Sequence, residues 1–599
     1  MILKTFISHL LLAAVSASSP AISKKLDIGN GPPALELPWG IYLARELEND
    51  TNIYLFENVR FGANPRRFDA PSSSEWTNSS VQPVSDGKNC IQVNTNKLKT
   101  PPGRGIDIGN PDVPDAGQSE DCLFLDIYVP KSAFDEEGAV RPMPVVVWVY
   151  GGAFAFGSKQ SIGPVGTGQS ILRESGYQTI WVAGNYRLGA FGWLAGDYMQ
   201  RVATPNAGLY DQALLLEWVQ KYIGLVHGDE TQVSAWGESA GASSILHHLI
   251  REDGSSDPKF KTFALQSPAY EWSWDNSPKG TMDQVFRNFS RLAGCGESYD
   301  IDCLRESDSL VSANQKLFAT VKQTGMFPVG PSVDNKWVTT IPTISFANGK
   351  YWKGIDSAIV SHCLNESHGF FPAWITNNDT FVAFLSTVLP GERLAPQRET
   401  IIKQYDCGQR FAGDYRACMN AMIRDLAFTC NTRDLIAAYP SKTHAMMYGF
   451  PIARLARHAT DLVALFGNSF DEVKDLVNLV VMNETLASVF ADLLVNTNVM
   501  KAYQTYFASF ALSSGDPNML PRPKLSRGIA PDWPIADGSE DALRNVLTVL
   551  APGVTDPFLL SKPDNQNTES SCKFWTNLAK DIVSQGDKDV WVLDQLREL

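Results

Sequence analysis

The 599-residue sequence has few features that would place it at a membrane, on nucleic acid or around a metal ion. Beyond its N-terminal segment it contains no apolar run long enough to cross a bilayer. Basic residues are outnumbered, with 51 Lys and Arg against 65 Asp and Glu, and the net charge of −14 argues against nucleic acid and anionic membrane surfaces as partners. No cluster of histidine, cysteine and carboxylate residues has the spacing of metal ligands, so we predict neither a metal nor a cofactor.

The sequence also lacks internal repeats, low-complexity linkers and blocks of like charge that would divide it into domains. Its N-terminus carries Lys4, a mostly apolar run over residues 6–15, and small residues around Ala17. This pattern predicts a secretory signal peptide over residues 1–17, followed by a single domain over residues 18–599. The protein is therefore expected outside the cell. Six N-glycosylation sequons fit that expectation, at Asn49, Asn78, Asn288, Asn365, Asn378 and Asn483.

In an oxidising compartment most of the nine cysteines should pair, and their odd number leaves at least one without an intramolecular partner. Cys90 and Cys122 bracket a segment rich in Pro, Gly, Asn and Asp, which predicts a surface loop closed by a disulfide; the alternative is two unrelated buried cysteines. Cys295 and Cys303 are close enough to close a small loop. Among the other five cysteines, proximity favours a bond between Cys407 and Cys418. The sequence suggests no pairing for the remaining three, Cys363, Cys430 and Cys572.

Apolar runs alternate with helical patterns through the first half of the chain. Residues 144–150 form a continuous apolar run, which is typical of a strand covered on both faces, and residues 207–223 form an amphipathic helix. The alternation predicts an α/β fold with a large, mostly parallel central sheet and helices on both faces. Residues 371–455 are largely helical by pattern, and residues 486–512 are predicted as one helical run.

The sequence Gly237-Glu238-Ser239-Ala240-Gly241 joins a strand-like run to a helix-compatible run. In a Gly-x-Ser-x-Gly turn the glycines remove side chains that would collide, and the serine hydroxyl stands exposed above a helix N-terminus. That position suits a nucleophile for acyl transfer, whereas the alternative is an ordinary Ser/Gly-rich turn.

A second candidate element, Gly151-Gly152-Ala153-Phe154, follows the apolar run at residues 144–150. Small residues after a central strand let backbone N–H groups point into open space, as an oxyanion hole requires. A simple Gly-Gly turn is the alternative.

Taken together, six motifs resemble the type-B carboxylesterase/lipase family of the α/β-hydrolase fold, which includes cholinesterases and fungal lipases. They occur in the family's order: Glu120-Asp121-Cys122-Leu123, Tyr150-Gly151-Gly152-Ala153-Phe154, Asn185-Tyr186-Arg187-Leu188-Gly189, Gly208-Leu209-Tyr210-Asp211-Gln212, Gly237-Glu238-Ser239-Ala240-Gly241, and His458-Ala459-Thr460-Asp461-Leu462 with Phe466-Gly467. The resemblance implies Ser239 as nucleophile and His458 as general base. It also implies oxyanion-hole N–H groups at Gly152, Ala153 and Ala240, and the disulfides Cys90–Cys122 and Cys295–Cys303.

The acid of the triad admits two alignments with the family, whose acid is a glutamate usually followed by glycine. Aligning on Gly369 puts His368 in the acid position, whereas aligning on Glu366 puts Ser367 where the glycine usually stands. We choose Glu366, because a carboxylate is needed to hold the imidazole in the correct tautomer. The residue order Ser, acid, His is that of α/β-hydrolases. Without the resemblance, His458 is favoured over His444, which lies in an apolar run typical of a core histidine.

Several residues near these motifs are candidate substrate contacts: Glu238, Phe154, Phe370 and Phe371, with Trp272 and Trp274. Each aromatic residue could equally be ordinary core packing, and Glu238 could act on the field near Ser239 or serve as a structural acceptor.

The sequence therefore predicts a secreted serine carboxylester hydrolase that acts on a small-molecule or lipid ester. One alternative is a triacylglycerol lipase with a lid between Cys90 and Cys122, although the polar composition of that segment disfavours an apolar lid. An alternative from another class is a catalytically silent adhesion or binding protein on the same fold, which the retention of Ser239, Glu366 and His458 disfavours.

Overall fold

The computed structural model of the protein describes residues 31–74, 76–84, 87–94, 117–135, 141–160, 166–320, 328–481, 483–525, 528–550, 558–559 and 563–597. The predicted signal peptide and most of the segment between Cys90 and Cys122, which is the lid in the lipase alternative, lie outside these residues.

The strands of the described residues vary from two-residue pairings to long central strands. In chain order they are β1 Ala34–Leu37, β2 Gly40–Leu43, β3 Arg45–Leu47, β4 Asp50–Arg60, β5 Asn89–Cys90, β6 Gln118–Ser119, β7 Phe124–Pro130, β8 Met143–Val149, β9 Ile180–Gly184, β10 Gly228–Glu238, β11 Thr262–Gln266, β12 Ser357–Cys363, β13 Thr443–Tyr448, β14 Lys524–Leu525, β15 Gly528–Ile529, β16 Ala542–Leu543, β17 Leu547–Val549, β18 Phe558–Leu559 and β19 Asp564–Thr568.

Eleven of these strands form one sheet, in the order β18-β17-β13-β12-β11-β10-β8-β9-β7-β4-β3. Across this sheet, the strands between β17 and β9 pair with one another in parallel. Antiparallel pairing is confined to β7, β4 and β3 at one edge and to β18 at the other. The prediction of a large, mostly parallel sheet is confirmed.

The helices of the described residues connect and cover these strands. They are α1 Gln169–Glu174, α2 Gly189–Trp193, α3 Asp197–Val202, α4 Ala207–Tyr222, α5 Ala240–Leu249, α6 Thr281–Leu292, α7 Ile301–Glu306, α8 Leu310–Thr320, α9 Pro342–Ala347, α10 Asn378–Val388, α11 Ala395–Tyr405, α12 Tyr415–Arg424, α13 Cys430–Ala438, α14 Asp461–Phe466, α15 Phe470–Val481, α16 Glu484–Val495, α17 Val499–Leu512 and α18 Glu569–Arg597. A π-helical turn, Asp425–Thr429, joins α12 to α13.

Helices cover both faces of the sheet at its centre, as two successive residues of β10 illustrate. The indole of Trp236 packs against Phe507 of α17, with ring centroids 5.5 Å apart. The next residue, Gly237, faces the backbone of α5 on the opposite side. Because successive side chains of a strand point to opposite faces, α17 and α5 enclose the carboxyl end of β10, which explains why residues 233–238 are all buried.

Two predicted elements differ from those observed. Residues 371–455, predicted as largely helical, also contain β13, because a short apolar run has no period that separates strand from helix until it pairs with β12 and β17. The single helical run predicted over residues 486–512 is divided into α16 and α17. The break falls just before α17, where Asn498 adopts a left-handed conformation with φ of 62°.

Three predicted disulfides are confirmed: Cys90–Cys122, Cys295–Cys303 and Cys407–Cys418. The structure also pairs Cys430 with Cys572, a bond across 142 residues that sequence reasoning left open. Cys363 is the free cysteine, and it is buried.

The sheet order shows where loops can converge. After β8 the chain adds β9 on one side and β10 on the other, so the strand order reverses at β8. In a parallel sheet the loops that leave adjacent strands at such a point separate and form a crevice at the carboxyl edge. The segments after β8, β10, β12 and β13 all leave the sheet at this edge.

Candidate active site

Ser239 lies on the sharp turn between β10 and α5. Its backbone angles are φ 57° and ψ −125°, a conformation that a residue other than glycine adopts only where its surroundings impose it. Gly241 is required at this turn, because a Cβ there would lie 2.0 Å from the carbonyl oxygen of Val149 on β8. A Cβ at Gly151 would likewise lie 2.9 Å from the Cβ of Ser239. Steric exclusion between the two neighbouring strand exits thus explains Gly241 and Gly151.

The imidazole of His458 meets the carboxylate of Glu366 at the same edge of the sheet. His458 Nδ1 lies 2.5 Å from Glu366 Oε1. The other oxygen, Oε2, accepts hydrogen bonds from the Ser267 hydroxyl at 2.9 Å and from the backbone N–H of Cys363. Glu366 is fully buried, so these donors replace the water that an ionised carboxylate would otherwise need.

The loops that carry Glu366 and His458 are joined through their backbones. Asn365 pairs with Arg457 in a parallel bridge, and the N–H of Asn365 donates to the Ala456 carbonyl at 2.8 Å. His368, the competing residue for the acid position, is instead near Arg457 and Arg416; burial and these two charges lower its pKa.

Glu238 lies on the other side of the imidazole. Its Oε1 is 3.1 Å from His458 Nε2, although the pair does not meet hydrogen-bond geometry, and Nε2 has no hydrogen-bond partner among the described residues. Burial raises the pKa of Glu238 to about 8, against the opposing effect of the His458 charge. Burial lowers the pKa of His458, but the carboxylates of Glu238 and Glu366 outweigh this effect and raise it to about 9. The two groups therefore titrate as a coupled pair.

The segment after β8 presents backbone donors near Ser239. Gly152 and Ala153 have φ of 116° and 53°, and neither of their N–H groups donates to another described residue. Ala240 is the first residue of α5, where an N–H group has no partner within the helix. The loop is held in place by Gly157, whose N–H donates to Gln92 Oε1 at 2.7 Å.

A cavity of about 280 Å³ opens beside Ser239. Its walls are mainly apolar, and its aromatic members are Phe154, Trp193, Tyr270, Trp272, Trp274, Phe370 and Phe428. Of the predicted substrate contacts, Phe154, Phe370, Trp272 and Trp274 line the cavity. Two other predicted contacts do not line it. Phe371 is buried in an apolar cluster formed with α10 to α12 and α18, and the carboxylate of Glu238 lies beside the imidazole of His458.

Sequence reasoning missed two residues that contact the Glu366–His458 pair. Ser267 directly follows β11, so its position at the carboxyl end of a central strand could have identified it. Phe428 contacts the imidazole from the π-helical turn, and no local pattern marks that role.

Among the described residues, no group of histidine, cysteine and carboxylate side chains could hold a metal ion. None of the helices in the described ranges combines the length and apolar character needed to cross a bilayer.

Comparisons with known proteins identify the family of this chain. Residues 38–575 match the Carboxylesterase family. A secreted lipase from Arthroderma benhamiae is 35% identical over 478 residues, covering 78% of this chain and 84% of that protein. The carboxylesterase patB of Aspergillus clavatus is 30% identical over 468 residues, covering 76% of each chain.

The crystal structure of EstA from Aspergillus niger superposes with a TM-score of 0.70 at 23% identity, covering 92% of this chain and 98% of that one. At this identity the likeness shows the fold alone, which is that of an α/β-hydrolase. The family match extends over most of the sequence and includes all the residues that line the cavity. The chain therefore belongs to the carboxylesterase family and is a carboxylic ester hydrolase.

Proposed function

We propose that this protein is a secreted serine esterase in which Ser239 is the nucleophile, His458 the general base and Glu366 the acid of the triad. The observation that carries the proposal is the 2.5 Å contact between His458 Nδ1 and a buried, fully hydrogen-bonded Glu366 carboxylate. A carboxylate at Nδ1 holds the tautomer in which Nε2 can accept a proton. Four disulfides and the secreted relative support secretion.

In the first half of the proposed reaction, the Ser239 hydroxyl attacks the ester carbonyl carbon while His458 Nε2 takes its proton. The negative charge that develops on the carbonyl oxygen is stabilised by the N–H groups of Gly152, Ala153 and Ala240; each such donor contributes roughly 3–4 kcal/mol. When the tetrahedral intermediate collapses, the bond to the alkoxide breaks, and the proton held by Nε2 passes to the departing alcohol.

In the second half, water attacks the acyl-enzyme and gives its proton to His458 Nε2. The tetrahedral intermediate forms again in the same donor environment. Its collapse releases the carboxylic acid and returns the proton to Ser239, so the enzyme is unchanged after each turnover. In this scheme Glu238 adjusts the basicity of His458 rather than contacting substrate.

The size of the cavity supports small, largely apolar esters as substrates. At about 280 Å³ it is at the lower end of the range for small-molecule sites, roughly 300–1,000 Å³. The second candidate is a lipase acting on triacylglycerol, which is favoured by the 35% identity to a secreted lipase. Most of the segment that would form its lid lies outside the described residues.

The test is a chain-length series of p-nitrophenyl esters hydrolysed by wild-type enzyme, Ser239→Ala, Glu366→Gln and His368→Ala. We expect activity on soluble short-chain esters without a jump at the solubility limit, and a loss in kcat of about 10⁶-fold for Ser239→Ala and about 10⁴-fold for Glu366→Gln. His368→Ala should retain activity. A jump in rate at the ester–water interface favours the lipase, and loss of rate in His368→Ala but not in Glu366→Gln refutes the acid assignment.

A further inference from the structure

The imidazole of His458 is enclosed by two aromatic rings. The ring of Phe370 lies edge-on, with centroids 5.0 Å apart and planes at 87°, and the ring of Phe428 lies 5.1 Å away at 57°. The two phenyl rings also contact each other at 5.4 Å. A hydrogen bond at Nδ1 fixes one point of the imidazole but not its tilt, so packing against these rings restricts the rest of its motion.

Phe428 occupies this position because it belongs to the π-helical turn Asp425–Thr429. Such turns insert an extra residue into a helix and occur frequently at functional sites. The hydroxyl of Thr429 donates to the carbonyl of Arg424 at 3.3 Å, across the turn. Leu426 and Ala427, between these residues, line the cavity.

A chain of buried hydrogen bonds connects this turn to the C-terminal helix α18. Trp575 Nε1 on α18 donates to the Tyr405 hydroxyl at 2.9 Å, and that hydroxyl donates to Asp425 Oδ2 at 2.9 Å. The other oxygen of Asp425 accepts from Arg424 Nε at 2.9 Å. The side chains of Trp575, Tyr405 and Asp425 are nearly fully buried. The loss of any of these hydrogen bonds would therefore leave a polar group with neither a protein partner nor water.

Three further contacts hold these elements together and connect them to the site. The Cys430–Cys572 disulfide connects the residue after the π-helical turn to α18, one turn before Trp575. Trp575 also packs edge-on against Trp272 of the cavity wall, with centroids 5.7 Å apart. On the side of the sheet, Asn431 Nδ2 donates to the carbonyl of Pro268 at 2.8 Å, next to the serine that binds Glu366.

Given the triad proposed above, we propose that Phe428 is a positioning residue for His458, and that α18 holds Phe428 in place through Trp575, Tyr405 and Asp425. The C-terminal helix thereby acts on catalysis without contributing a group to the reaction. Tyr405 does not line the cavity, so its effect should reach kcat and leave KM unchanged.

The test compares Phe428→Leu and Tyr405→Phe with two matched controls. Phe384→Leu removes a ring from the same apolar cluster away from His458, and Tyr439→Phe removes a buried hydroxyl that bonds the Trp352 carbonyl. An ångström of misplacement costs about a hundredfold in rate, so we expect kcat to fall about tenfold in Phe428→Leu and at least about threefold in Tyr405→Phe. For Tyr405→Phe, KM should stay within about twofold of wild type.

Rates are expressed per active site titrated with an organophosphate, so unfolded enzyme does not count. The proposal is overturned if, on this scale, the kcat of both variants matches that of their controls, or if Tyr405→Phe changes KM rather than kcat. It is supported if kcat falls in both variants while the controls keep it, even where thermal melting shows the controls equally destabilised. If wild-type enzyme neither labels nor hydrolyses any ester, the proposed triad fails, which is a different result.

Discussion

Replacing Glu238 by glutamine tests how the two carboxylates around His458 control the pH at which the enzyme works. Catalysis needs the imidazole neutral, so the acidic limb of the profile of kcat/KM against pH reports the pKa of His458 in the free enzyme. That pKa is raised to about 9, and the Glu238 carboxylate is the largest of the causes that raise it. We expect a wild-type limb above pH 7.

The size of the change follows from the 3.1 Å between Glu238 Oε1 and His458 Nε2. At this distance two unit charges interact by about 5 kcal/mol in a medium of dielectric constant 20, which corresponds to about four pKa units. The real shift is smaller, because burial raises the pKa of Glu238 to about 8 and the carboxyl carries its full charge only above that pH. Close charges commonly shift a pKa by about 1–3 units. We expect Glu238→Gln to move the limb down by about 1–2 pH units.

The assay is the hydrolysis of a short-chain ester by pH-stat titration between about pH 5 and pH 10. Asp434→Asn is the control, because burial raises the pKa of this carboxyl to about 7, in the same range, and the group that opposes the rise is the Thr343 hydroxyl rather than the imidazole. A limb that stays in place in Glu238→Gln, or that moves equally in Asp434→Asn, refutes the reasoning.

Three further predictions concern groups that support the site. Lys159→Met leaves Asp126 as a buried charge without its 2.7 Å ion pair, and should lower the free energy of unfolding by about 3–5 kcal/mol in urea titrations. Ser267→Ala removes a 2.9 Å bond to the Glu366 carboxylate, and should lower kcat/KM by about 10- to 150-fold, since such bonds contribute about 1.5–3 kcal/mol; unchanged kinetics would contradict this. Gly241→Ala puts a Cβ 2.0 Å from a backbone carbonyl oxygen, and should abolish organophosphate labelling or yield no folded protein.

Much of the fold could be predicted because its causes are local. The continuous apolar run at residues 144–150 corresponds to β8, whose central residues are buried on both faces of the sheet. The glycines around Ser239 were required by the same turn that the structure contains, because a side chain at Gly241 would collide with β8. Two disulfides, Cys295–Cys303 and Cys407–Cys418, could be inferred from short separations along the chain, and Cys90–Cys122 from the composition of the segment it brackets.

Features that depend on residues distant in sequence could not be predicted from local patterns. The strand β13 was missed within a region predicted as helical, because its identity depends on pairing with strands distant in sequence. Cys430 and Cys572 are separated by 142 residues, and no local pattern relates them.

By itself, then, the sequence determined the strand–turn–helix at Ser239, the parallel sheet and the resemblance to esterases, since steric exclusion and hydrophobic period act over a few residues. Only the tertiary structure decided which groups surround His458. Glu366 lies 92 residues from it in sequence, Glu238 reaches it from the strand that carries Ser239, and Phe428 reaches it from a π-helical turn held by α18. Charge and packing act over a few ångströms in space, and the distances between these side chains exist only after the loops of different strands have converged on one edge of the sheet.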